Sequence, residues 1–253
     1  MSPFNEDRDD VIVRAREAGV TSIVSVGIDL DSSRQAICLA ETYAGVKATV
    51  GYHPHSVAQV TEADVTGLTP LAGHPAVVAI GEIGLDFYRN YSPREAQLRV
   101  FVWQLELAVS LDLPVVVHSR QAEREIISRL QAWTSRHQDW RRRPRGVIHC
   151  FNGDWAAARR YLEMGFFISL GAYIGYPASS KMYDVIRRIP PDKLVVETDS
   201  PFLPPQSQRG RRNEPSYLPQ VVAVLAKIRR VSPETVAAET THNAHRLFRL
   251  ADA

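Results

Sequence analysis

Seven short apolar runs recur along the chain, at residues 21–27, 47–52, 77–82, 114–118, 146–150, 166–170 and 194–199. They are rich in Val and Ile and continuous in hydrophobicity rather than alternating, the pattern of parallel strands covered on both faces. Helix-period segments lie between them. Residues 31–43 begin on an acidic and hydroxyl cap and, with Ala44 just beyond, carry Ile37 and Ala40 on one side. Residues 92–111 carry Leu98, Phe101, Val102, Leu105 and Val109 in the same way. Regular strand and helix alternation predicts an α/β architecture with right-handed crossovers. The 253 residues suit a TIM-like (β/α) barrel, of which seven of eight parallel strands are evident.

The two ends depart from strict alternation. Residues 5–18 read as an amphipathic helix, with Asn5 as its cap, acidic residues in the early turns and Gly19 as its stop. Its Val11, Ile12, Ala15 and Ala18 share a face that needs a sheet beneath it, yet no strand precedes it. At the other end, residues 217–231 and 233–250 give two helices. Their Val221, Val224, Leu225, Ile228, Leu247 and Phe248 are expected to cover the barrel's outside. With no repeat, linker or low-complexity segment, one domain over residues 1–253 is expected.

Chemistry gathers where the apolar runs stop. Glu82, His118, His149 and Asp199 each follow one of them, and the C-terminal strand ends of a parallel barrel converge on one face. Singly, each has a structural reading: a satisfied strand-end histidine, a helix cap, an ion pair. Together they match the mixed nitrogen and oxygen set of a hydrolytic metal site, in which water is activated at an open position. Asp199 reads either as a ligand or as the proton acceptor, two roles that sequence does not separate. His53-Pro54-His55 also follows a run; His53 reads first as a substrate or phosphate contact, with metal ligand and structural histidine as alternatives, and His55 as structural.

A net charge of +2 predicts no particular partner, so local groups matter more. Arg136, Arg141, Arg142, Arg143 and Arg145 precede a strand and read as a surface group on the barrel's far side. Arg209, Arg211 and Arg212 follow Asp199 and are the better phosphate candidates. Two cysteines are too few for a disulfide framework, and Cys38 falls where a small buried residue is expected. No apolar stretch reaches the ~18 residues of a membrane span; a reducing cytoplasm and a monomer are the expected setting and state.

Several stretches, spanning nearly the whole chain in order, resemble the TatD family of metal-dependent deoxyribonucleases, within the amidohydrolase-like barrels. They include Gly51-Tyr52-His53-Pro54-His55, Gly81-Glu82-Ile83-Gly84-Leu85-Asp86, Val117-His118-Ser119-Arg120, His149-Cys150-Phe151, Glu197-Thr198-Asp199-Ser200-Pro201 and Arg212-Asn213-Glu214-Pro215. The resemblance implies two divalent ions (Mg, Mn or Zn) with Glu82 bridging them, His118 and His149 on one, and Asp199 on the other and active in proton transfer. It implies substrate contacts from His53, Asp86, Arg120 and Arg212, and cleavage of DNA, as a 3′-5′ exonuclease on single strands.

One departure matters. The family's first strand ends in a His-x-His pair that completes the second metal position, and this chain begins downstream of it. A start assigned too late is the expectation, with a trimmed chain or a degenerate member as alternatives. Two other functions stand beside the nuclease: a small-molecule amide or lactone hydrolase using the same ions, and a non-catalytic barrel that has lost its first metal position.

Overall fold

The computed structural model describes residues 2–138 and 144–250. Its seven strands are β1 (Ile23–Val26), β2 (Val46–Val50), β3 (Val77–Asp86), β4 (Val115–Arg120), β5 (Gly146–Ile148), β6 (Phe167–Leu170) and β7 (Leu194–Val196). All are parallel and pair in chain order, β1 through β7, in one curled sheet. Among the described residues, ten α-helices accompany them: α1 (Arg8–Glu17), α2 (Leu30–Thr42), α3 (Glu62–Thr66), α4 (Thr69–Ala72), α5 (Arg94–Ser110), α6 (Glu123–Arg136), α7 (Trp155–Glu163), α8 (Tyr183–Arg188), α9 (Leu218–Arg229) and α10 (Pro233–Phe248). The helix starts follow local chemistry. Asp29 and Ser32 form a reciprocal capping box at α2, Asp154 accepts from Ala157 N–H at α7, and Ser232 accepts from Thr235 N–H at α10.

Strands β2 to β7 are buried on both faces over most of their length, as their unbroken hydrophobicity requires, whereas β1 is only half-buried throughout. One packs on helices: Ile80, Val115, Val117, Ile148, Ile168 and Leu194 meet Phe101 and Leu105 of α5, Leu130 and Trp133 of α6, Tyr161 of α7 and Leu225 of α9. The concave face starts apolar at the N-terminal side, with Ala79, Val116, Val147, Phe167 and Val195 in one cluster. Two residues further on, period-2 alternation places His118, His149, Ser169 and Glu197 on that same face. The apolar floor and the polar mouth are therefore one continuous set of positions.

Strand β3 breaks its own alternation. Ala79 faces inward and Ile80 outward, so strict alternation would send Ile83 inward and Glu82 toward the helices. A register shift between Ile80 and Ile83 against β4 reverses this, leaving Ile83 and Leu85 in the helix-side core and Glu82 inside. Such irregularities recur beside active sites, where they re-aim a side chain.

Several expectations are corrected. Strands β3 and β4 run past Glu82 and His118 to Asp86 and Arg120, so those two ligand candidates lie within strands rather than at their ends. Leu247 and Phe248 do not cover the outside. They pack with Ala244 onto Ala79, Val116, Val147, Phe167 and Val195, so α10 plugs the floor of the concave face, while Val221, Leu225 and Ile228 of α9 take the helix side as expected. Asn5 does not cap α1; Asp7 holds that position and Asn5 accepts from Arg8 instead. Cys38 is exposed, because α2 buries Ser33, Ala36 and Ile37. Of the far-side basic group, Arg145 is buried and Arg136 pairs with Glu106 at 3.0 Å; Arg141, Arg142 and Arg143 lie outside the described residues.

Helix α1 spans from β1 toward the loop after β7. Arg14 donates to both Glu214 oxygens, at 2.9 and 2.7 Å, and Arg212 pairs with Asp7 and stacks over the Phe4 ring. This four-residue clasp ties the segment before β1 to the loop after β7.

Candidate metal centre

The mouth is organised around one carboxylate oxygen. Glu82 Oε1 lies 2.8 Å from His118 Nδ1, 3.7 Å from His53 Nε2 and 3.8 Å from His149 Nε2, and Asp199 Oδ1 is 3.6 Å from that same His149 nitrogen. These five side chains come from β3, β4 and the segments after β2, β5 and β7. All are recessed, with side-chain exposures of 13% for Glu82, 10% for His53, 18% for His118, 16% for His149 and 29% for Asp199. Asp199 itself has φ +57°, a left-handed conformation that Asp adopts more readily than most residues.

Behind them sits a layer of orienting groups. Asp86 is fully buried; its Oδ2 accepts from His55 Nε2 at 2.7 Å and faces His118 Nε2 at 3.3 Å, while its Oδ1 accepts from Tyr88 and Arg89 N–H. Glu197, which sequence reasoning missed, accepts from His149 Nδ1 at 2.7 Å and from the Ser169 hydroxyl. A signal existed: Glu197 lies two residues from Val195 and from Asp199, so all three share a face. Asn213, buried in the loop after β7, donates to Phe202 O at 2.6 Å and to Thr198 O and Leu203 O, and so fixes the turn that carries Asp199.

Charge balance follows from this packing. Burial raises the Glu82 pKa, but His149, His118 and His53 outweigh it and hold the carboxylate well below its usual range. Burial lowers His118, yet its bonds to Asp86 and Glu82 prevail and raise it to about 9, and the facing carboxylates raise His149 similarly against burial. Burial dominates at His53, which is lowered to about 4 and is neutral at pH 7. Its Nδ1 accepts from His55 N–H at 3.1 Å, so the ring proton is on Nε2. Burial also raises Asp199 despite the nearby His149.

The donor set fits divalent ions. His53, Glu82 and His118 bring ligand-type atoms within 4.8 Å of one another, with His53 set to donate through Nε2–H rather than to ligate, and His149, Cys150 and Glu197 form a second group. The protonated state of His118 and His149 offsets the carboxylates, a balance that a divalent cation can replace. Glu197 Oε1 is buried without a hydrogen-bond partner, an acceptor in search of a cation. Cys150 fits less well, since burial pushes its thiol well up and disfavours the thiolate a metal needs.

The remaining expected contacts fall in two places. Arg120 is exposed at the rim and lies over the Tyr88 ring at 4.1 Å. Arg212 is tied to Asp7 and Pro3 O rather than turned into the mouth. Arg209 and Arg211 of the same loop are exposed.

Comparison with known proteins places this geometry in context. The family model described as TatD related DNase matches residues 1–249. A protein of Bacillus subtilis named as an uncharacterized metal-dependent hydrolase is 36% identical over 247 residues, covering 98% of this chain and 94% of its own. A Cronobacter sakazakii protein named 3′-5′ ssDNA/RNA exonuclease TatD is 36% identical over 252 residues, with the same coverage of both. The crystal structure of a TatD homologue from Escherichia coli k12 superposes with a TM-score of 0.91 at 31% identity, covering 99% of this chain and 95% of that one.

Proposed function

This chain belongs to the TatD-related DNase family of metal-dependent hydrolases, and from that premise we propose that it cleaves phosphodiester bonds of DNA, releasing nucleotides from the 3′ ends of single strands. The observation that carries the reading is the Glu82 oxygen within 3.8 Å of three imidazole nitrogens supplied by three separate parts of the sheet. A site built around one shared carboxylate suits a pair of divalent ions, Mg, Mn or Zn. Glu82, His118, His149 and Asp199 would hold them. When bound, such ions lower the pKa of water toward ~7 and stabilise developing charge on phosphate oxygens.

The chain's own groups supply the rest. Glu82 stays ionised across the working pH range. Asp199, whose carboxylate burial makes more basic, accepts the proton of the attacking water. Neutral His53 directs its Nε2–H at a phosphate oxygen. Asp86 orients His118, Glu197 orients His149, and Arg120 supplies a cation for the incoming backbone.

The test is cleavage of an end-labelled single-stranded oligonucleotide by protein stripped of metal and resupplied with Mg or Mn. Metal-dependent laddering from the 3′ end, reduced to background in Glu82→Ala, is the expected result. Full metal-dependent cleavage by Glu82→Ala would overturn the assignment.

A further inference from the structure

Among the described residues, five large hydrophobic side chains are exposed: Val13, Tyr88, Tyr91, Phe202 and Val231. Single exposed apolar residues are ordinary on a protein surface, so their distribution decides. The two aliphatic ones lie away from the mouth, on α1 and just after α9. All three aromatics lie in the loops that follow β3 and β7, and each is bonded or packed to a residue of the centre. Tyr88 N–H donates to Asp86 at 2.9 Å, Phe202 N–H donates to Asp199 O at 2.8 Å, and the Tyr91 and His55 rings meet in a T-shaped contact with centroids 4.8 Å apart. Their exposures, 51% for Tyr88 and 64% for both Tyr91 and Phe202, are far above those of the groups they surround.

We propose that Tyr88, Tyr91 and Phe202 form a base-stacking rim that holds the terminal nucleotides of a single-stranded nucleic acid over the recessed centre. The inference rests on the phosphodiesterase reading and deepens it. An exposed ring offers a face to any unpaired base, whatever its identity, whereas bases in a duplex already have both faces covered. Arg120 lies over the Tyr88 ring at 4.1 Å and Arg89 lies 5.4 Å from the same centroid, which places two cations beside the rim and leaves Tyr91 and Phe202, at 64% exposure each, as its more open rings. The loops are held at their bases by Asp86 and Asn213, so the rings are displayed from fixed mounts. Single-strand preference then comes from ring faces, without base-edge recognition.

The experiment compares KM for a 3′-labelled oligothymidine strand with KM for the same strand carrying abasic residues at its 3′ end, alongside fluorescence anisotropy of both strands. The metal-loaded wild type is expected to favour the base-bearing strand. Tyr88→Ala, Tyr91→Ala and Phe202→Ala each lower that preference by roughly 5- to 100-fold, the range for stacking one base. Tyr91→Phe and Phe202→Trp restore it, and Val13→Ala, which removes an exposed apolar residue elsewhere, leaves it as in wild type. Equal preference in the alanine variants and wild type overturns the rim while leaving the nuclease intact. Failure of the wild type to cleave or bind either strand overturns both.

Discussion

Gly84 carries φ +141° directly across from His118, and a Cβ there would lie 2.0 Å from the His118 carbonyl oxygen. Gly81 is equally confined, with a Cβ meeting Val116 at 2.6 Å. The two glycines flanking Glu82 in the Gly-Glu-Ile-Gly motif therefore allow β3 to press against β4 where the ligands are carried. Gly84→Ala is expected to destabilise by more than the ~1–3 kcal/mol of a strained backbone conformation alone, seen as a lowered Tm, with Mn affinity falling alongside. Glu197 acts at the same scale. Removing the acceptor of His149 Nδ1 frees the ring to turn, and outer partners of this kind contribute about 10- to 100-fold in metal affinity. Glu197→Ala should show that loss in a Mn titration, and Glu197→Gln, which keeps an acceptor, a smaller one.

At the scale of elements, the clasp ties α1, which precedes β1, to the loop after β7. Arg14 is partly exposed, so its pairing with Glu214 is worth about 1 kcal/mol, the upper end for such pairs; Arg14→Ala should lower Tm accordingly, and less so in high salt. Its partner Asp7 is lowered from 3.8 to about 2 by Arg212 and Arg14 against burial, so that carboxylate's contribution is intact above pH 4 and is lost as pH falls through 2. The strands themselves were legible: all seven apolar runs became strands within a few residues, because burial on both faces leaves an unbroken signature. The floor helix was legible as a helix, but its place was not. An amphipathic stripe in α10 shows that a face is buried, not which layer buries it. Nor could alternation reveal the inward turn of Glu82, since a register shift is a property of the pairing between β3 and β4. His118, His149, Glu82 and Asp199 were found as a set because metal-type side chains are conspicuous after apolar runs. Glu197 was not legible because it lies inside the last apolar run, whereas Asp199 stands at its end.

For the whole molecule, the opposing charges of the mouth couple proton and metal occupancy. His118 is raised from 6.5 to about 9, so in metal-free protein its contribution to stability is complete below pH 6.5 and is lost as pH rises through 9. Metal must displace that proton, so the stabilisation conferred by Mn should grow over the same interval. Differential scanning at pH 6.5 and 9 checks both slopes: Tm of the stripped protein falls while the metal-induced gain rises. The plug formed by Leu247 and Phe248 against Phe167 has a further consequence. With its base covered by hydrocarbon, the concave face is, among the described residues, a blind cup. A polymer cannot thread through it; its tip enters and the cut piece leaves by the same opening. A circular single strand presents no tip, and should survive conditions under which its linearised counterpart is digested.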